Sequence, residues 1–183
     1  MPRRIAQEIG FIEFAARNLR GHRMIITHGF NEPRVLQWVR RVGGVLFQDE
    51  RGDLWIEEYL VDPPTHILNG MIWALWGVHD YALATGDPSA HELFGKVVQT
   101  IERNLARYDA GFWSLYEQSG TRLKMMASPF YHRLHIVQLG IMRRLTGHSI
   151  FGEYAERWER YERSRIKSMM ALAYKSAFKL CYY

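Results

Sequence analysis

Trp55-Ile-Glu-Glu-Tyr-Leu-Val-Asp-Pro-Pro-Thr-His-Ile-Leu-Asn-Gly70 passes from a short β-like run, through a Pro-Pro bend, into the longest apolar helix signal of the chain. The change of period at Pro63-Pro64 decides the fold. Before it, Leu54 to Tyr59 alternates as a strand does. After it, Ile67, Met71, Leu75, Val78 and Ala82 recur at helical spacing, and Trp73 and Trp76 broaden the apolar face. The spacing predicts a buried helix from Thr65 to about Thr85, ended by Gly86-Asp87-Pro88.

Working towards the N-terminus, Asp49-Glu-Arg-Gly52 has hairpin-turn composition and sits between runs 45–48 and 54–59. Gly43-Gly44 ends a preceding helix that starts after Asn31-Glu-Pro33, and residues 4–20 read as an amphipathic helix. Towards the C-terminus, helices are expected over 89–107, over 130–145 with Pro129 in the first turn and Gly147 beyond the end, and from Ser149 onwards. Phe112 to Gln118 and Arg122 to Met126 read as a second hairpin. Val39-Arg-Arg-Val-Gly-Gly-Val-Leu-Phe-Gln and Leu105-Ala-Arg-Tyr-Asp-Ala-Gly-Phe-Trp-Ser-Leu-Tyr share one grammar: helix end, glycine break, aromatic β-run. The expectation is a mainly α fold of stacked helical hairpins, with two short β-hairpins at the helix ends.

Composition sets the outer limits. The 183 residues are 48% hydrophobic and 23% charged, which suits one packed domain rather than a disordered chain. A net charge of +5 favours an acidic partner, but no Lys/Arg block of the nucleic-acid-binding kind occurs. The single cysteine, Cys181, excludes an intramolecular disulfide and fits a reducing, cytoplasmic compartment. No run of about eighteen apolar residues exists, so no membrane span is expected. Glycine-rich phosphate loops, Gly-x-Ser-x-Gly and CxxC patterns are absent, which removes the common nucleotide, acyl-transfer and zinc-finger readings.

Three clusters carry possible chemistry. Glu57-Glu58-Tyr59 places carboxylates and a phenol at a strand end, with Glu58 on the face opposite Glu57 and Tyr59. Tyr116-Glu117 repeats the pairing on the second hairpin. In Tyr131-His-Arg-Leu-His135, His132 and His135 share a helix face. A metal site would need a third ligand at a matching spacing, and none is evident, so a hydrogen-bonded histidine pair is expected instead.

Four segments in order resemble the C-terminal domain of D-glucuronyl C5-epimerases: Glu58-Tyr59 with Leu68-Asn69-Gly70-Met-Ile-Trp-Ala-Leu-Trp-Gly77; Leu105 to Tyr116; Tyr131-His132-x-x-His135-Ile-x-Gln138-Leu139; and Ile150-Phe-x-Glu-x-Ala-x-Arg-Trp158. The best-matching core is 45–160 within a single domain over 1–183. The resemblance implies a partial α/α toroid and an isomerase that inverts C5 of a uronic acid residue in an acidic, glycosaminoglycan-like polysaccharide. It implies Glu58, Tyr59, Tyr116 and Tyr131 as the catalytic set; of these, Glu58 and Tyr131 are expected to be the opposed acid/base pair, with no metal or cofactor. Asn69, His132 and His135 would shape the site. Ser119 and Ser128-Pro129-Phe130 stand where the family places arginines, so Arg122, Lys124 or Arg133 is expected to meet the uronate. The family also carries an N-terminal β-rich region, which is not expected within residues 1–183. The chain is then a fragment, a shortened homologue, or a half-cup completed as a homodimer. A polysaccharide-binding module without chemistry and a polysaccharide lyase are the alternatives.

Overall fold

The computed structural model describes residues 46–59 and 61–182. The expected helices before residue 43 lie outside these. The described chain is mainly helical: strands β1 (Leu46–Gln48) and β2 (Leu54–Ile56), then helices α1 (Leu68–Thr85), α2 (Pro88–Asn104), α3 (Pro129–Thr146), α4 (Ser149–Arg163) and α5 (Arg165–Tyr182). It forms two compact units, one ending at residue 62 and resuming over 70–100, the other comprising 63–69 and 101–183.

In the first unit, β1 and β2 pair antiparallel with Phe47 opposite Trp55. Asp49 makes the turn. Its Oδ1 accepts from the N–H groups of Arg51 and Asp53, both at 2.9 Å, and its Oδ2 accepts from Trp55 Nε1 at 3.1 Å. Gly52 sits at φ 80°, a left-handed position that glycine adopts freely. The β2 residue Leu54 donates its N–H to Thr100 Oγ1 at 2.9 Å, tying the hairpin to α2. Trp55, Met71, Ile72, Leu75, Val78, Ala82 and Val97 are buried, which accounts for the apolar spacing of α1.

The second unit holds α3, α4 and α5, with α4 packed on both neighbours. Ser128 caps α3, accepting from the Tyr131 N–H at 3.3 Å. Gly147 at φ 76° closes it by donating to Arg143 O. The run begun at Ser149 breaks at Ser164, whose N–H returns to Tyr161 O, so α4 and α5 are separate helices. Ile67, Leu105, Tyr108, Leu139, Phe151 and Trp158 form the buried centre.

Two expectations change. The helix after Pro63-Pro64 starts at Leu68 rather than Thr65, because the backbone of 65–68 is engaged elsewhere. Thr65 O accepts from the Gln118 N–H at 2.7 Å, Leu68 N–H donates to Tyr116 O at 3.3 Å, and His66 is held at φ 50°. The expected second hairpin is an irregular arm with isolated bridges at Asp109–Ser114 and Leu115–Met126 instead of two strands. Its backbone groups are shared with 65–68, Tyr108 and α5 rather than with one partner strand.

Candidate active site

Tyr116 and Tyr131 are far apart in sequence and meet in the second unit. The arm after the Leu105–Tyr108 turn delivers Tyr116, and the capped first turn of α3 delivers Tyr131. The ring centroids are 4.8 Å apart at 61°, an edge-to-face pair, and both residues are half-buried. Phe130 adds a second edge contact to Tyr131 at 5.3 Å. Two phenols at a partly open position can hand protons to a ligand.

Behind Tyr131, the next residue anchors the arm to the helix. His132, His135 and Ser114 are fully buried. Ser114 Oγ is 2.8 Å from His132 Nδ1 and 3.0 Å from His135 Nδ1, and His132 Nε2 is 3.0 Å from Trp158 O. The proton positions follow from the partners. A carbonyl only accepts, so His132 carries its proton on Nε2 and its Nδ1 accepts. The Ser114 backbone N–H, at 3.2 Å, points at the same Nδ1. The one hydroxyl proton of Ser114 therefore goes to His132, and Ser114 Oγ accepts from the Nδ1–H of His135. His135 Nε2 is left as a buried acceptor without a partner.

Burial, opposed by the Trp158 carbonyl, lowers the His132 pKa to about 4. Burial, reinforced by His132, lowers that of His135 to about 3. Trp113 stacks on the His132 ring at 3.7 Å. The histidines form a hydrogen-bonded pair through Ser114 behind Tyr131 and, being fully buried, present no surface to a ligand. Among the described residues no group of His, Cys, Asp and Glu is arranged to hold a metal ion.

Asn69 is half-buried and reaches the same helix through its backbone. Its carbonyl accepts from Gln138 Nε2 at 3.0 Å, one turn along α3 from His135. The backbone carbonyl of His66 accepts from the buried Tyr108 hydroxyl at 2.6 Å. Arg133 is paired with Glu162. Arg122 and Lys124 are exposed, and Lys124 is placed by its N–H on the Tyr174 hydroxyl at 3.0 Å. Cations stand over other phenols: Arg157 lies 4.6 Å from the Tyr154 ring centre and Lys167 lies 3.9 Å from that of Tyr161. Asp109 gathers this second cluster, accepting from Arg157 at 3.3 Å and from the Tyr161 hydroxyl at 3.4 Å. Ser114, Asp109 and Arg157 stand within the segments 105–116 and 150–158, but each finds its partners only through the fold.

In the first unit the alternation at 57–58 is as expected: Glu57 is buried and Glu58 exposed. Tyr59 does not return inward and is 49% exposed. The Glu58 side chain nevertheless lies against Gly70, where a Cβ would collide with its carboxylate. This partial burial raises the Glu58 pKa above the usual carboxylate value.

The family described as D-glucuronyl C5-epimerase C-terminus matches residues 34–160, spanning both clusters. The chain belongs to the D-glucuronyl C5-epimerase C-terminal family. An uncharacterised protein of Methanocaldococcus jannaschii is 33% identical over 104 residues, covering 57% of this chain and 32% of that protein. A D-glucuronyl C5-epimerase of Caenorhabditis elegans is 25% identical over 125 residues, covering 60% of this chain and 20% of that enzyme. The chain thus spans a third or less of the length of these relatives.

Proposed function

We propose that this domain inverts C5 of a uronic acid residue within a polysaccharide, in the D-glucuronate to L-iduronate sense. The observation that carries the reading is the Tyr116–Tyr131 pair, formed at 4.8 Å inside a domain of the C5-epimerase family. The C5 proton is α to a carboxylate. A base removes it, the C5–H electron pair moves into the carboxylate as an enolate-like species, and an acid returns a proton to the opposite face. The reaction is balanced without an oxidant, reductant or leaving group. It needs two acid/base groups and something to stabilise the added negative charge.

The proposed roles are Glu58 and Tyr131 as the acid/base pair, with Tyr59 and Tyr116 assisting proton transfer or orienting the sugar. Burial raises the Glu58 pKa, which favours a carboxyl group able to give back a proton nearer neutral pH. Arg122 and Lys124 are exposed cations suited to a uronate, whereas Arg133 is already committed to Glu162.

The test is hydrogen–deuterium exchange at C5 of a heparosan-like polymer in heavy water. Incorporation of deuterium supports the proposal. A folded sample that binds the polymer without exchange supports the second reading, a binding module. That reading draws on Arg157 over Tyr154 and Lys167 over Tyr161, cation–aromatic pairs suited to an acidic sugar polymer. New ultraviolet absorbance from an unsaturated uronate would instead indicate a lyase.

A further inference from the structure

Helix α5 carries Arg165, Lys167, Lys175 and Lys179 and no Asp or Glu, so four of the net +5 charges of the whole chain sit uncompensated on one helix. It also lies beyond residue 160, outside the stretch matched by the epimerase family. Its inward side packs Ala171 and Phe178. Its outward side is a continuous apolar stripe, Ile166, Met170, Ala173, Ala177 and Leu180, all exposed and spaced by four, three, four and three residues. Ile166 is 73% exposed, Leu180 87%, and the adjoining Met169 71%. Scattered exposed apolar residues mean little, but a stripe of this length on one helix marks an interaction surface.

We infer that α5 is an interfacial helix that lays this stripe into an anionic lipid surface. The chemistry selects that partner over two others. A second copy of the chain would place Arg165 and Lys179 against the same cations, with no carboxylate on α5 to pair them, around a seam in which two of five residues are alanine. An acidic polysaccharide would suit the charge but gains nothing from Ile, Met and Leu. Of the aromatic side chains described on this helix, Phe178 is buried and Tyr174 is half-buried with its hydroxyl engaged by the Lys124 N–H. An anionic bilayer satisfies both features at once: acyl chains take the stripe, and headgroup phosphates take the flanking Arg165 and Lys179, whose stems reach up to the interface.

The test is co-sedimentation of the full chain with vesicles of phosphatidylcholine alone and of phosphatidylcholine mixed with phosphatidylglycerol. Binding is expected to the mixed vesicles only, to weaken with salt, and to be lost in the double variant Ile166→Glu, Met170→Glu. In Arg165→Gln and in Lys179→Gln, where no packing is disturbed, partitioning should fall about fivefold per charge removed. The inference is overturned by equal or absent binding to the two vesicle types, by vesicle binding that survives the double variant, or by a dimer in sedimentation velocity that the double variant disperses. It is also overturned if a heparosan-like polymer in solution, and not the vesicles, binds in a manner these charges control.

Discussion

The Tyr116 and Tyr131 rings stand edge to face with their centroids 4.8 Å apart, although one comes from an irregular arm and the other from the first turn of a helix. Phenylalanine at either position keeps the ring contact and removes only the hydroxyl. Tyr131→Phe is therefore expected to unfold within about 1 kcal/mol of the parent. It is also expected to lower C5 exchange by about 10²–10⁴-fold, the range for losing an acid/base group. Tyr116→Phe should cost less if its role is assistance. Exchange at the parent rate in both variants would remove the phenols from the mechanism.

Glu58 fills the space that a side chain at Gly70 would need. In the parent, Gly70→Ala should destabilise by about 1–3 kcal/mol, as overpacking does. In a Glu58→Ala background the same change should be neutral or stabilise by about 0.5 kcal/mol, since alanine is the better helix residue in α1. Urea titrations of the four proteins give the coupling directly. Equal effects of Gly70→Ala in both backgrounds would show that the two residues do not meet.

The helices were legible because their causes are local. Ile67 to Ala82 repeats on one face, Pro129 and Gly147 bracket α3, and the family motifs name Tyr116 and Tyr131. What the sequence hid is bonded across distance. Thr65 stays out of α1 because Gln118 takes its carbonyl, and Ser114 acquires a role only when the arm lies against α3. The histidine pair was legible as a pair, since i,i+3 spacing fixes a common face. That the face points inward was not, because Trp158, which accepts from His132, lies 26 residues further on. Arg133 looked available from its place beside Tyr131, but Glu162 on the next helix claims it.

The pKa of Glu58 gives the exchange reaction a pH signature. If Glu58 removes the C5 proton, it must be ionised, and its folded pKa is raised by burial. Exchange should then fall on the acid side at a higher pH than for an unburied glutamate, and Glu58→Gln should abolish that limb together with most of the rate. An acid limb that survives Glu58→Gln would assign it to another group.

Acid stability should be set by the buried histidines. Both folded pKa values, about 4 for His132 and about 3 for His135, lie below the unfolded value of 6.5. The unfolded chain therefore binds more protons between these limits, and stability falls as pH drops below about 6.5, by about 1.4 kcal/mol per pH unit for each ring. The loss levels off only below the folded values. His135→Leu should remove one of the two slopes, even though its own stability at pH 7 will differ. Urea midpoints measured from pH 7 to pH 4 test this, and an unchanged slope in the variant would contradict it.

The hydrogen bonds of Ser114 fix two different tautomers three residues apart, Nε2–H on His132 and Nδ1–H on His135. Nitrogen-15 spectra of the imidazoles at pH 7 distinguish these forms by the shifts of the bare and protonated nitrogens, and one ring of each type is expected. Ser114→Ala removes the group that, among the described residues, links them. His132 Nδ1 keeps the backbone N–H at 3.2 Å, but His135 Nδ1–H is left buried without an acceptor. The cost should be about 1–3 kcal/mol, the penalty for an unsatisfied buried donor. Moving the proton to Nε2 brings no relief, because Nε2 is itself buried without a partner, so the loss should be read in full as a lower urea midpoint. Two rings of the same tautomer in the parent protein would break the chain of bonds that holds the arm carrying Tyr116 against the helix carrying Tyr131.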